Sequence, residues 1–212
     1  MAGLSLKRIS DFVRRKVEEN PIIQFALRKA LEAKIRPLFN QLRADMIQEL
    51  HNHPISEEIA LGPKLNWSSP FLNGYGDLFS FIGFQRDDNP IKPIEDLFKG
   101  LRLYSITSKG LKYKFEIRNF PTRNDIRDIT PLPWATGRSW ALGMEDGISG
   151  LGKYINTETP YDPPTYRSTA GVQGKRILRP AFQPTPYITP ILKKYRAKFT
   201  QIANVKLSGI IK

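Results

Sequence analysis

The sequence has no cysteine, only two histidines and only three methionines in 212 residues. Without cysteine there is no disulfide, thiolate nucleophile, iron–sulfur cluster or cysteine-ligated zinc site. His51 and His53 alone are too few for a histidine-rich metal centre. No run approaches the ~18 continuous apolar residues that a membrane-spanning helix needs, so no membrane is expected as a partner. The opening residues, MAGLSLKRISDFVRRK, are charged throughout and lack the apolar stretch of a secretory signal. Asp11, Glu18 and Glu19 speak against an organellar transit peptide. The expectation is a soluble protein made and used inside a cell.

The residues of a catalytic centre are also sparse. His51-Asn52-His53 has the spelling of a nuclease motif, but that chemistry needs about three protein ligands and the sequence has no third histidine. Imidazoles at a helix C-terminus, where they complement the dipole, are the simpler reading. Ser56 lies near His53 in sequence, but no strand, Gly-x-Ser-x-Gly and helix surround it. Glu57-Glu58, Asp87-Asp88 and Glu145-Asp146 are adjacent carboxylates of the kind usually solvated. Gly143 and Gly147 have the spacing of a phosphate-loop fragment without the lysine that would follow. The expectation is no enzyme, no metal and no cofactor.

What the sequence does carry is positive charge. Thirty-three Lys and Arg against twenty Asp and Glu leave a net charge of +13. By position, residues 1–50 hold +4, 51–100 hold −3, 101–150 hold +3 and 151–212 hold +9. A basic final third points to a polyanionic or acidic partner, either nucleic acid or an acidic protein surface. Tyr187 and Tyr195 lie among its basic residues and suit base stacking, but they also fit the apolar stripe of a helix. No zinc-finger, RRM or KH signature accompanies the charge.

Periodicity divides the chain. Leu6, Ile9, Val13 and Val17 predict a short helix over 4–17. A second helix is predicted over 22–50, with a break or kink at Pro37. Residues 54–100 form a Pro- and Gly-rich excursion holding Trp67, Phe71, Tyr75, Phe79, Phe81 and Phe84, with one short strand predicted at Leu78 to Phe84. So many aromatics argue for an ordered segment. They either anchor in a neighbour's pocket or fold onto their own core. Residues 91–100 read as a short helix capped by Gly100. Leu111, Tyr113, Phe115 and Ile117 alternate with charged residues, so 101–107 and 111–118 form a hairpin. Helices are predicted over 137–155, where Gly143, Gly147 and Gly150 add a small-residue stripe, and over 187–205. The fold class is therefore α+β: an N-terminal helical arm (1–53), the excursion (54–100) and an α+β body (101–212). The body is a small antiparallel sheet with a long hairpin, packed against two further helices.

Two segments carry a resemblance. The first is His53-Pro54-Ile55-Ser56-Glu57-Glu58-Ile59, then Asn66-Trp67-Ser68, then Gly74 through Phe84. It resembles virion proteins of T4-like phages of marine bacteria. The second runs from Leu132-Pro133-Trp134 through Arg167-Ser168-Thr169-Ala170-Gly171 to Pro186-Tyr187-Ile188. It resembles phage neck and tail-completion proteins. The resemblance implies a structural virion protein that forms a homo-oligomeric ring at the head–tail junction. Its expected partners are the portal or adaptor on one side and the tail terminator or tail tube on the other, with DNA in the channel. Its expected location is the virion, and the host cytoplasm during assembly. On this reading Arg167, Lys175, Arg176, Arg179, Lys193, Lys194, Arg196 and Lys198 dock onto acidic protein or DNA. Trp67, Phe71, Tyr75, Phe79, Phe81 and Phe84 are candidate inter-subunit anchors. A tail terminator, a sheath-stabilising ring, or a non-enzymatic nucleic-acid-binding accessory protein are the alternatives.

Overall fold

Several helix starts in this chain are set by side-chain caps. The computed structural model describes residues 6–63, 68–72, 76–107, 113–133, 135–147 and 184–203. Helix α1 (Leu6–Glu19) ends just before Asn20, whose side-chain oxygen accepts the backbone N–H of Ile22 at 3.0 Å and of Ile23 at 3.3 Å. With Pro21 in the first turn, where its missing N–H costs nothing, this starts α2 (Pro21–His51). Of the expected break or kink at Pro37, the break does not occur, and α2 runs unbroken through it. Pro37 lies on the exposed side, where the carbonyl one turn earlier can turn to water.

Helix α3 (Pro54–Ala60) has His53 as N-cap, its Nδ1 accepting the N–H of Ile55 at 3.3 Å. The strand expected at Leu78 to Phe84 is instead helix α4 (Leu78–Ile82). Asp77 accepts the N–H of Ser80 at 2.7 Å, and Gly83 closes the helix at φ +95°. All five α4 residues are buried, so the run has no periodicity to separate strand from helix. Helix α5 (Lys92–Lys99) ends at Gly100, as its sequence suggests.

Strands β1 (Arg102–Thr107) and β2 (Tyr113–Arg118) pair antiparallel, from Arg102 opposite Arg118 to Thr107 opposite Tyr113. Helix α6 (Arg123–Ile129) was not anticipated, although Thr122 and Asp125 form a full capping box. Short β3 (Pro131–Leu132) pairs antiparallel with β4 (Ala135–Ser139). The helix expected from 137 begins later, as α7 (Trp140–Asp146), because Ser139 is its N-cap and residues 137–139 are strand. Residues 148–155 of that expectation lie outside the described residues. Helix α8 (Ile188–Ala203) is the last described element. The fold is α+β, with eight α-helices and two small antiparallel sheets among the described residues.

The chain groups into two compact units. The first comprises 1–44, 101–120 and 195–212; the second comprises 45–100 and 121–194. In the first unit Leu31 and Ile35 of α2, Phe115 of β2 and Ala203 of α8 form a core, with Leu27, Leu103 and Ile117 packed against it. Phe199 extends that core, its ring 5.4 Å from Phe39 and 6.0 Å from Phe120. In the second unit an aromatic series runs Phe79, Phe84, Trp140, Tyr187 and His53, with ring centroids 4.8 to 6.1 Å apart.

Candidate interaction surfaces

The candidate aromatic anchors meet different fates. Phe79, Phe81 and Phe84 are buried in the second unit's own core, which corrects their assignment as anchors for a neighbouring subunit. The cause is the capped turn of α4. It folds the run back so that Phe84 meets Phe79 and the edge of Trp140. Phe71 is the middle residue of the short 3-10 turn Pro70–Leu72 and is half-buried. Trp67 and Tyr75 lie outside the described residues.

Of the candidate basic residues, Arg167, Lys175, Arg176 and Arg179 also lie outside the described residues. The other four are on α8. Lys193 is exposed, and Lys194 pairs with Glu49 on α2. Arg196 lies over the Phe120 ring at 4.7 Å, and Lys198 over the Tyr195 ring at 4.9 Å. Lys193 and Lys194 belong to the second unit, Arg196 and Lys198 to the first.

The histidines and Ser56 are placed structurally. His53 accepts from Ile55 through Nδ1, and its Nε2 lies 3.1 Å from the Pro186 carbonyl, to which it can only donate. Both ring nitrogens are engaged, which leaves no base for Ser56. The Ser56 hydroxyl instead pairs with the Tyr187 hydroxyl at 2.6 Å. Burial holds the His53 pKa below its ordinary value, opposed by the hydrogen bond to Pro186. Burial pushes the Tyr187 phenol well up, so it stays neutral. His51 faces Glu95 at 3.2 Å rather than sharing a partner with His53. Among the described residues no group of three or more metal-ligating side chains comes together.

Glu145 ties α6, α7 and the start of α8. Its carboxylate accepts the N–H of Tyr187 at 3.3 Å, the N–H and hydroxyl of Thr189, and Arg123 at 3.3 Å. Arg123 also pairs with Asp146. Buried Glu58 similarly accepts the Ser69 hydroxyl at 3.0 Å and the Leu78 N–H at 2.8 Å, fixing the approach to α4. Nearby, a shallow hollow of about 220 Å³ is lined by Arg127, Arg138, Ser139, Leu142, Gly143 and Asp146, among others. Ser139 and Asp146 are already engaged in capping α7 and pairing Arg123.

Two surfaces that the sequence did not single out lie in the first unit. On α2, Ile22, Phe25 and Ala26 share one exposed face, Ile22 being 77% and Phe25 65% exposed. Leu27, Leu31 and Ile35 take the other face to the core. On α1, Phe12 is 61% exposed. The second surface is the outer face of the β1–β2 hairpin, with Arg102, Tyr104, Lys114 and Arg118 all exposed.

Charge follows the same division. The first unit holds nineteen basic and five acidic residues, net +14; the second holds fourteen and fifteen, net −1. No known protein family, curated protein or solved structure matches the chain.

Proposed function

We propose that this chain is an assembly protein: a structural virion subunit of a tailed bacteriophage that closes into a ring at the head–tail junction. The observation that carries the reading is the uncovered apolar face at the start of α2. Two large side chains there, Ile22 and Phe25, stand mostly in solvent while the opposite face is packed. A helix apolar on both sides is one that has neighbours on both sides. The occupant that fits is a second copy of this chain. Residues 6–36 carry nine basic and four acidic residues, net +5, whereas residues 45–100 carry four and nine, net −5. A contact of the arm of one copy with the acidic segment of the next is heterologous, and such contacts close into a ring when the rotation between neighbours closes. The resemblance to neck and tail-completion proteins supplies the position in the particle.

The test is native mass spectrometry on the full chain, with quantitative proteomics of purified particles, isolated heads and isolated tails. The expected results are a closed oligomer in solution and a low, ring-like copy number in particles. A strict monomer at high micromolar concentration, together with absence from particles, refutes the reading. Reversal at Lys193 should then block head–tail joining. Lys193 is the cleaner site, because reversal at Lys194 would also set two carboxylates against each other at Glu49.

The second reading, a non-enzymatic nucleic-acid-binding accessory protein, is favoured by one observation, the net charge of +14 gathered in the first unit.

A further inference from the structure

We propose that the outer face of the β1–β2 hairpin is a docking surface for duplex DNA. The inference is independent of the ring. It starts from a pairing that the fold alone does not favour. The register places Arg102 directly opposite Arg118. Opposed residues in an antiparallel pair have Cβ atoms only ~4.5–5.5 Å apart, and like charges there destabilise the sheet. Nothing in the first unit's core requires arginine at either position, since Leu103, Phe115 and Ile117 make the inward face.

The same register sets Tyr104 opposite Glu116 and Ile106 opposite Lys114 on this face, so three cations share it with a single carboxylate. Arg102 and Lys114 are exposed, and among the described residues neither pairs with a carboxylate. Arg118 is held by Glu116 at 3.0 Å and lies 4.4 Å over the ring of Tyr104, which is 45% exposed. The guanidinium is thus held between a carboxylate and a ring, and the tyrosine keeps 45% of its surface in solvent for contact with a sugar or base. The unit to which this ribbon belongs carries net +14 in sequence, a concentration of like charge that strains the compact state unless an anion relieves it.

The anion that matches is a polyphosphate. Duplex DNA presents one charge per ~1.7 Å of axis, a density that carboxylates on a protein surface do not reach. A two-stranded ribbon also fits the major groove of B-DNA, ~12 Å wide, whereas the deep, narrow groove of A-form RNA excludes it.

The experiment is fluorescence anisotropy of the full chain with a labelled duplex of about 20 base pairs, over a salt series. Wild type should bind with affinity that falls steeply with salt, by about 0.9 in log–log slope per phosphate neutralised. Arg102→Glu should weaken binding about tenfold or more and flatten the slope by about one. The same variant places a carboxylate opposite Arg118, so its thermal midpoint should stay level or rise, which separates lost binding from lost folding. Arg86→Glu, exposed in the other unit and outside both candidate docking sets, should bind like wild type. Arg102→Glu with wild-type affinity and slope would overturn the proposal. So would tighter binding to duplex RNA, or equal competition by polyglutamate, which would make the partner RNA or an acidic protein.

Discussion

The two units solve opposite problems. The second carries almost balanced charge and buries its polar groups in specific pairs: Ser56 with Tyr187, Glu58 with Ser69 and Leu78, and Glu145 with the start of α8. The first carries net +14 over a short aliphatic and phenylalanine core, and places its cations on aromatic rings: Arg43 over Phe39, Arg118 over Tyr104 and Arg196 over Phe120. Buried polar pairs fix one arrangement and are costly to break singly. Exposed cations on rings add little stability and leave their charge available. The second unit therefore holds the fold's specificity, and the first carries the charge on which the proposed docking depends. Substitutions should separate the two roles.

The largest effect is expected at Trp140, buried between Phe84 and Tyr187. Trp140→Ala removes a large ring from a closed core and should cost about 3–5 kcal/mol in urea unfolding. Glu145→Ala comes next. It leaves the N–H groups of Tyr187 and Thr189 and the Arg123 guanidinium without their shared acceptor, and should cost about 2–3 kcal/mol. If either variant unfolded at the wild-type midpoint, the second unit would not be the structural half.

Tyr187→Phe should cost about 1–2 kcal/mol, because the Ser56 hydroxyl loses its partner in a buried site. Adding Ser56→Ala should recover much of that loss, since replacing both partners avoids the unpaired group. A double mutant no better than the single would mean the hydroxyl pair is not the source. His53 gives a smaller, pH-dependent effect. Burial holds its folded pKa below the ordinary imidazole value, so folding favours the neutral ring that caps α3 through Nδ1. That contribution is complete above the unfolded value and declines as pH falls through the folded one. Thermal midpoints from pH 7 down to 5 should fall more for wild type than for His53→Asn, which keeps a cap that does not titrate.

How far the sequence revealed this depends on distance along the chain. The hairpin was legible, because strict alternation from Leu111 to Ile117 is a local signal. So was the α5 ending at Gly100. The run from Leu78 to Phe84 was not, because it is buried on every side; the deciding residues were the caps, Asp77 and Gly83. Thr122 and Asp125 announced α6 by their spacing, but the segment has little hydrophobic periodicity to draw attention to it. The charge division was illegible in principle. Counting along the chain puts the excess in residues 151–212, whereas folding gathers 1–44, 101–120 and 195–212 into one basic unit. The Arg102–Arg118 pair likewise exists only once the register is known.

The smallest effect on stability is expected where the proposed effect on assembly is greatest. Ile22 and Phe25 stand in solvent on α2, outside the packed face formed by Leu27, Leu31 and Ile35. Removing apolar surface that is not buried forfeits no packing, so Ile22→Ser with Phe25→Ser should change monomer stability by only about 0.5 kcal/mol. If that face is covered by a second copy, burial recovers about 25 cal/mol for each Å² removed from water, and truncating both side chains takes most of that away. The double variant should then unfold at the wild-type denaturant midpoint in dilute solution while its sedimentation coefficient drops to the monomer value at concentrations where wild type is oligomeric. Equal oligomerisation by variant and wild type would place the subunit contact elsewhere, and a large stability loss would mean the face is already covered within the chain.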